Sequence, residues 1–291
     1  MPKRSASMLT ILEVLTRTTD FFASRGIPSA RLDAELILSE RLNLTRVELY
    51  LQFEQPLSET ELNPIRDWVR RRAKREPLAW ILGHQDFYAH RFIVTPGVLV
   101  PRPDTETLVI SALSHLPEDA PSVLVDVGCG TGCVGLSLIK ERPQARLFAL
   151  DLSPEARACT AQNADALGVA DRVTILDSDL LSGLPDDLDV DVIVSNPPYI
   201  AGPEFADLQP EVRDFEPRLA LDGGADGLDV YGRLIPAALS RARRAVLVEI
   251  GYTQGDAVRE IFDGAGAQDV VVRDDLSGNP RVVEGRPAPV E

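Results

Sequence analysis

The hydrophobic positions of the first part of the chain follow a helical period. Ile11, Leu15 and Phe22 recur at spacings that place them on one face of a helix. Residues 26–28 (Gly-Ile-Pro) form a stop and a turn, after which a second apolar helix begins. Residues 58–61 (Ser-Glu-Thr-Glu) are typical of a further helix start, with acidic residues in its first turn. These patterns predict a small helical bundle.

The pattern then changes to one that is typical of strands. Two apolar runs predict two short strands, the first with Phe87, Phe92, Ile93 and Val94 and the second with Val98, Leu99 and Val100, and Pro96-Gly97 is the predicted break between them. We expect this part of the chain to be a β-hairpin that links the helical bundle to the residues that follow.

Strands and helices alternate from about residue 103 onward. This alternation implies right-handed crossovers and a parallel sheet that is covered by helices on both faces. The sequence therefore predicts a helical domain over residues 1–80, a hairpin linker over 81–102 and an α/β domain over 103–291. The predicted strands are Val123–Val127, Arg146–Leu150, Val173–Leu176, Val190–Val194 and Ala245–Ile250, with Val270–Val272 and Val282–Val283 as candidates to close the sheet.

A glycine-rich turn lies between the first strand of the α/β domain and the helix after it. Its glycines, Gly128, Gly130 and Gly132, allow a sharp turn and let a ligand approach where a Cβ would collide. The following helix presents free N–H groups and a partial positive charge, which suit a carboxylate, a phosphate or a nucleotide. No Lys-Ser/Thr pair follows, which excludes a P-loop. A tight strand-to-helix connection without a ligand is the alternative.

Acidic residues follow the next two strands. Asp151 ends the second strand, 23 residues after Gly128, where a carboxylate can accept hydrogen bonds from both ribose hydroxyls of a nucleotide. The alternative is an N-cap role, for which Ser153 is better placed. Asp179 follows the third strand and can receive an adenine amino group, with Leu180 against the ring face. These last two residues can equally be ordinary loop residues.

The sequence Asn196-Pro197-Pro198-Tyr199 follows the fourth strand, at the edge of the sheet where α/β proteins bind ligands. The two prolines remove N–H donors and stiffen the loop. The Asn196 side-chain carbonyl and the Pro197 backbone carbonyl can accept hydrogen bonds from one planar NH₂ group, and Tyr199 can pack on its flat face. Such acceptors favour the positive charge that develops when a weakly nucleophilic amide nitrogen is methylated. An ordinary proline-rich turn is the alternative.

Charge narrows the choice of substrate. The chain carries 30 Lys and Arg against 45 Asp and Glu, a net charge of −15. Residues 1–80 have a net charge of +2 and residues 81–291 a net charge of −17. Since nucleic-acid-binding domains tend to be basic, we expect no direct binding of DNA or RNA. The basic stretch Arg70–Arg75 fits either a solvated helix end or a contact with ribosomal RNA or an acidic partner.

Composition also indicates the cellular compartment. The three cysteines are too few for a disulfide framework, and no His or Cys pair has the spacing of a zinc site, so no metal is expected. The first residues lack the apolar core of a signal peptide, and no window approaches the roughly 20 apolar residues that cross a bilayer. We expect a cytoplasmic protein that does not bind a membrane.

Taken together, these motifs resemble class I methyltransferases that use S-adenosylmethionine and act on a planar nitrogen. The Asn-Pro-Pro-Tyr loop is shared with DNA adenine methyltransferases, so it does not by itself identify the substrate. Further segments resemble the release factor glutamine methyltransferases (the PrmC/HemK family), and the resemblance covers nearly the whole chain. These segments are Arg75–Leu78, Pro101–Glu106, Phe215–Pro217, Val248–Gly251 and Gly278–Val282.

The resemblance implies a Rossmann-like class I methyltransferase domain with a mostly parallel seven-stranded sheet, preceded by a helical domain that recognises the substrate. It also implies methyl transfer from S-adenosylmethionine, which leaves S-adenosylhomocysteine, to the side-chain amide nitrogen of the glutamine in the Gly-Gly-Gln motif of peptide chain release factors. We expect the protein to act as a monomer. The alternatives are a ribosomal-protein glutamine methyltransferase and a nucleic-acid adenine amino-methyltransferase.

The family's functional positions can be carried onto this chain. The cofactor-binding positions are Gly128, Cys129, Gly130, Thr131, Gly132, Asp151, Asp179, Leu180 and Asn196. The catalytic positions are Asn196, Pro197 and Tyr199, and the substrate-binding positions are Asn196, Pro197, Pro198 and Tyr199. The glycine turn would hold the methionine part of the cofactor, Asp151 the ribose and Asp179 the adenine. Leu180 departs from the family, which often has an aromatic residue there, so less surface covers the adenine.

Overall fold

The computed structural model describes residues 9–289, so the first eight residues of the predicted helical domain and the last two residues of the chain lie outside it. The chain divides into two compact units, with the boundary between Gly83 and His84. The helices are α1 (Ile11–Ser24), α2 (Ala30–Leu42), α3 (Arg46–Leu51), α4 (Glu59–Ala73), α5 (Leu78–Leu82), α6 (Glu106–Leu113), α7 (Cys133–Glu141), α8 (Pro154–Ala166), α9 (Pro210–Arg213), α10 (Asp229–Leu239) and α11 (Gly255–Gly264). The strands are β1 (His84–Phe87), β2 (His90–Ile93), β3 (Ser122–Val127), β4 (Ala145–Asp151), β5 (Val173–Asp177), β6 (Val190–Ser195), β7 (Ala242–Glu249), β8 (Gln268–Asp274) and β9 (Pro280–Arg286).

The first unit contains helices α1 to α5 around its own apolar core. The predicted face of α1 is buried, with Ile11, Leu15 and Phe22 fully enclosed. Helices α1 and α3 begin with capping boxes at Thr10 and Thr45, in which a glutamate three residues later bonds back to the cap. The predicted helices correspond to α1, α2 and α4, whereas α3 and α5 were not predicted.

Two arginines of the basic stretch at the end of α4 form ion pairs inside the first unit. Arg71 bonds the Glu76 carboxylate at 2.5 Å. Arg72 is buried and its Nε lies 2.6 Å from the Asp33 carboxylate. Since a buried charge is tolerated only when it is paired, Arg72 is a structural residue. A solvated helix end is therefore the wrong description for Arg72, whereas Arg71 is paired but still partly exposed.

The second unit is built on a seven-stranded sheet of order β5-β4-β3-β6-β7-β9-β8. Strands β3 to β7 pair in parallel, and β9 is antiparallel to both β7 and β8. One apolar core contains residues of α6, α7 and α8, and a second contains residues of α10 and α11. This arrangement confirms the predicted α/β fold with a mostly parallel sheet. Within residues 9–289, no helix has the length and apolar character that a bilayer crossing requires.

The hairpin forms, but its turn is not where the sequence placed it. Strands β1 and β2 pair from His84↔Ile93 to Phe87↔His90, so the turn consists of Tyr88 and Ala89. Both turn residues have positive φ, 45° and 60°. Two-residue turns of this kind usually contain Asn-Gly, so Tyr-Ala gives no turn signal, and the prediction of a break at Pro96-Gly97 is wrong.

The strand order reverses between β3 and β6, and that edge of the sheet is where ligands bind in open α/β folds. The register pairs Val127 with Ser195, the last residues of the two strands. The Ser195 hydroxyl also donates to the Val127 carbonyl at 2.7 Å. The glycine turn and the Asn-Pro-Pro-Tyr loop therefore start from neighbouring points.

Candidate cofactor and substrate site

A cavity of about 1250 Å³ opens where β3, β4, β5 and β6 end. Ten of the residues predicted for the site line it: Gly128, Cys129, Gly130, Thr131, Asp151, Asp179, Leu180, Asn196, Pro197 and Pro198. Gly132 and Tyr199 are not part of the lining that the described residues form. Single-ligand pockets usually measure about 300–1,000 Å³, so the cavity has room for a nucleotide-sized molecule and a further side chain.

The glycine turn has a left-handed backbone, which glycine adopts without steric cost. Gly128, Gly130 and Gly132 have φ values of 71°, 57° and 78°. A Cβ on Gly132 would lie 2.8 Å from Leu136 Cδ1 and 3.0 Å from Thr160 Cγ2, whereas a Cβ on Gly130 would meet nothing within 4 Å. Gly132 is therefore needed for packing behind the turn, and the open side of the turn faces the cavity.

We expect Gly132→Ala to lower the free energy of unfolding by more than about 2 kcal/mol, because a left-handed backbone and a steric clash add together. Gly168→Ala is the matched control, since Gly168 has a φ of 67° and open space at its Cβ position. It should lower stability by only about 1–2 kcal/mol. Urea unfolding of both variants measures the difference, and equal losses would contradict the packing role.

Asp151 organises the end of β4. Its two carboxylate oxygens accept hydrogen bonds at 2.9 Å from the backbone N–H groups of Gly130 and Ser153. Ser153, not Asp151, is the N-cap of α8, because the Ser153 hydroxyl accepts from the Ala156 N–H. Burial raises the pKa of Asp151, and the two N–H groups oppose this shift. Asp151 is thus fixed in place while it lines the cavity.

The adenine side of the predicted site is more open. The Asp179 carboxylate lies 2.6 Å from Arg233 Nη2, and both side chains are about half exposed. Leu180 is half-buried and has a positive φ of 53°. The Ser178 hydroxyl donates to the Leu180 carbonyl at 2.7 Å and so supports this conformation. Asp179 therefore lines the cavity as a paired carboxylate.

Asp126, near the end of β3, is a site residue that the sequence reasoning missed. It lines the cavity, is buried, and accepts a hydrogen bond from the Gly135 N–H at 2.9 Å. Burial raises its pKa to about 7, against the effect of that N–H. An acidic residue inside an otherwise apolar strand, two positions before the glycine turn, is the signal that could have identified it.

This pKa makes stability depend on pH. The folded-state pKa of Asp126 lies above its ordinary value of 3.8, so its contribution to stability is present at pH 4 and is lost as the pH rises to 7. We expect Asp126→Asn, which can still accept from Gly135, to gain on the order of 1–4 kcal/mol relative to the parent protein between pH 4 and 7. Urea unfolding of the variant and of the parent protein at pH 4 and at pH 7 measures this gain. The same difference in free energy of unfolding between the two proteins at both pH values would contradict the prediction.

The Asn-Pro-Pro-Tyr loop is held from three sides. Asn196 Nδ2 donates to the Thr105 hydroxyl at 3.3 Å, and the Tyr199 hydroxyl donates to Glu249 Oε1 at 3.4 Å. Gln254 Nε2 donates to the Tyr199 carbonyl at 3.0 Å. The loop is therefore rigid because of polar contacts as well as its prolines.

Two glycines let the chain pass directly behind Tyr199. A Cβ on Gly223 would lie 2.7 Å from Tyr199 Cα, and a Cβ on Gly227 would lie 2.4 Å from the Tyr199 carbonyl oxygen. Since both neighbouring atoms belong to the backbone, neither can move away without moving the loop. These contacts, with the bond from the Tyr199 hydroxyl to Glu249, hold Tyr199 in place at the end of the loop.

Sequence reasoning gave no role to Thr105, Glu249 and Gln254. Thr105 and Glu249 lie in the Arg-Pro-Asp-Thr-Glu and Val-Glu-Ile-Gly segments that carried the family resemblance. Glu249 ends β7 just as Asp151 ends β4, so an acid closing an apolar strand was an available signal. Among residues 9–289, no group of three or more His, Cys, Asp or Glu side chains is arranged to hold a metal ion.

Two family models match most of the chain. The family model of the PrmC N-terminal domain matches residues 13–83, and the methyltransferase small domain matches residues 92–211. Among solved structures, the fold is similar to the hMettl16 catalytic domain in complex with the MAT2A 3'UTR hairpin 6, with a TM-score of 0.56 and 15% identity over 78% of this chain and 83% of that chain. At this identity the likeness concerns the fold alone.

Curated relatives are much more similar in sequence. The release factor glutamine methyltransferase of Caulobacter vibrioides is 39% identical over 97% of this chain and 98% of its own length. That of Geobacter sulfurreducens is 44% identical over 95% of this chain and 96% of its own length. The family resemblance predicted from the motifs is thereby confirmed: the chain belongs to the release factor glutamine methyltransferase family.

Proposed function

We propose that the protein transfers a methyl group from S-adenosylmethionine to the side-chain amide nitrogen of the glutamine in the Gly-Gly-Gln motif of peptide chain release factors. The observation that carries this proposal is the placement of Asn196 and Pro197. They line one cavity together with the glycine turn and Asp151, at the point where the strand order of the sheet reverses.

The cavity residues fit this cofactor. The turn after β3 has positive φ at all three glycines, and the positions of Gly128 and Gly130 leave open space where a Cβ would stand. Asp151 is a fixed carboxylate that can accept from ribose hydroxyls, and Asp179 with Leu180 can flank an adenine. When bound, S-adenosylmethionine supplies a methyl group carried on a sulfonium sulfur. The product of that transfer is S-adenosylhomocysteine.

The residues on the other side of the cavity fit a carboxamide substrate. A glutamine amide has a planar NH₂ group with two hydrogens, and Asn196 Oδ1 and the Pro197 carbonyl are two acceptors in a stiff loop. Holding the nitrogen in this way orients it toward the methyl group and stabilises the positive charge that forms on it. The nitrogen then loses a proton to water, so no strong base is required.

The surroundings of the site fit a protein substrate. The second unit is strongly acidic, which favours a basic protein loop over nucleic acid. We assign recognition of the release factor to the helical domain, which has an apolar core of its own. Action as a monomer in the cytoplasm completes the proposal, and size-exclusion chromatography with light scattering measures the oligomeric state.

Incubation of the purified protein with methyl-labelled cofactor and a release factor tests the proposal. We expect labelling of the wild-type factor and loss of labelling when the glutamine of its Gly-Gly-Gln motif is replaced by alanine. Equal labelling of the two factors would overturn the assignment. Parallel reactions with duplex DNA and with ribosomal proteins test the two alternative substrates, and we expect no transfer to either.

A further inference from the structure

We propose that Thr105 and Glu249 are positioning residues that determine which end of the Asn196 amide faces the substrate. This inference rests on the proposed function, because it concerns how the same loop selects a carboxamide. It assigns a role to two residues of segments that lie far apart in the sequence and meet behind the loop.

The orientation of Asn196 matters because its amide has one donor end and one acceptor end. A glutamine NH₂ group is a donor, so it is held only if Asn196 presents Oδ1 to it. Asn196 Nδ2 donates to the Thr105 hydroxyl at 3.3 Å, which directs the opposite end, Oδ1, away from Thr105. If the amide were rotated by half a turn, two NH₂ groups would face each other across the cavity.

Thr105 is suited to fix this orientation because it is buried, with 2% of its surface exposed. A hydroxyl that accepts from Asn196 must direct its single hydrogen elsewhere. The Thr105 hydroxyl also acts on the Glu249 carboxyl, where it favours the charged form and lowers the pKa. Because a carboxylate can only accept, it leaves the Thr105 oxygen lone pairs for Asn196.

Glu249, at the end of β7, is the last member of this series of polar contacts. It is 1% exposed, and Oε1 accepts from the Tyr199 hydroxyl at 3.4 Å. Its second oxygen, Oε2, is buried and has no hydrogen-bond partner within residues 9–289, so it has a free lone pair for a hydroxyl hydrogen. One carboxylate can thus hold both ends of the loop: Tyr199 through the bond to Oε1, and Asn196 through a Thr105 hydroxyl that directs its hydrogen toward Oε2.

The consequence is selectivity for an amide. Two outward-facing acceptors, Asn196 Oδ1 and the Pro197 carbonyl, attract an NH₂ group and repel a carboxylate. We therefore expect the loop to discriminate against a glutamate in the place of the substrate glutamine. When the Asn196 amide is no longer held in this orientation, kcat should fall more than the affinity for the release factor.

The first test uses Thr105→Val, which keeps the shape of the side chain and removes the hydroxyl. We expect kcat at saturating cofactor and release factor to fall about tenfold to a hundredfold. The KM values should change by less than about threefold, and Thr105→Ser should restore most of kcat. The matched control is Thr174→Val, at an exposed position of the edge strand β5, where kcat should stay unchanged.

The second test uses Glu249→Gln and the pH dependence of kcat. Burial raises the pKa of Glu249 to about 7, and the charged groups and hydroxyls that face it are Tyr199, Arg281, Asp104, Thr105 and Tyr231, with the Cys133 thiol. Since the carboxylate is the form that orients Thr105, kcat should rise as the pH increases through about 7. Glu249→Gln should lower kcat about tenfold and remove this rise.

The outcomes distinguish failure of the positioning role from failure of the proposed function. A Thr105→Val protein with normal kcat, or a Thr105→Ser protein as slow as Thr105→Val, would overturn the positioning role and leave the proposed function standing. A pH profile that is the same in Glu249→Gln as in the parent protein would also overturn it. Loss of the proposed function would appear instead as equal labelling of the Gln→Ala release factor. Cofactor affinity and melting temperature, measured for every variant, show that the variants are folded.

Discussion

Replacement of Asn196 by alanine is expected to lower kcat about 100-fold to 1,000-fold while the affinity for S-adenosylmethionine changes by less than about fivefold. In the proposed mechanism the side chain supplies one of the two acceptors for the substrate amide, and Asn196 Nδ2 already donates to the Thr105 hydroxyl. Removing an oriented group of this kind affects the transition state most, because the nitrogen carries a positive charge only there. Single-turnover methylation and calorimetric titration of the cofactor measure the two quantities separately.

Gln144→Ala is the matched control for this variant. Gln144 also carries an amide, but it precedes β4 at the opposite edge of the sheet and donates to the Asp119 carbonyl at 3.0 Å. Its loss should leave kcat within about twofold of the parent value. Unchanged methyl transfer by Asn196→Ala, in a protein that still binds the cofactor, would contradict the catalytic role.

Replacement of Asp151 by alanine should raise the dissociation constant for the cofactor by about 10-fold to 100-fold, because hydrogen bonds to a charged group contribute about 1.5–3 kcal/mol. The variant also leaves the N–H groups of Gly130 and Ser153 without their carboxylate partner, which loosens the glycine turn. Titration calorimetry with S-adenosylhomocysteine measures the effect without turnover.

Asp177→Ala provides the control for Asp151. Asp177 pairs with Asp151 in the register of β4 and β5, but its side chain is 70% exposed and lies against Arg157. We expect no more than about a twofold change in affinity for this exposed pair. If both variants bound the cofactor equally well, Asp151 would have no part in holding the ribose.

The sequence predicted the elements that have strong local causes. Positive φ at Gly128, Gly130 and Gly132 favours residues without a Cβ. The apolar strands around them, separated by helices, are typical of a buried parallel sheet. The placement of Asp151 and Asn196 followed from the rule that parallel strands end at one edge. For these features, residue type and spacing were sufficient.

Features that depend on contacts across long stretches of sequence could not be predicted. Thr105 and Asn196 are 91 residues apart and Tyr199 and Glu249 are 50 residues apart, so no local pattern connects them. The turn at Tyr88 depends on the surrounding packing, because its residues carry no turn signal. Likewise, Arg72 is buried in an ion pair with Asp33, although its place in a run of basic residues is typical of an exposed helix end.

The central claim is that this site methylates one glutamine amide of a release factor. Mass spectrometry of the proteolysed factor, after incubation with the protein and S-adenosylmethionine, measures the position of the methyl group directly. We predict a single methyl group on the side-chain nitrogen of the Gly-Gly-Gln glutamine, and none when Asn196→Ala replaces the parent protein. A methyl group on any other residue, or an unmodified factor in the presence of bound cofactor, would contradict the account.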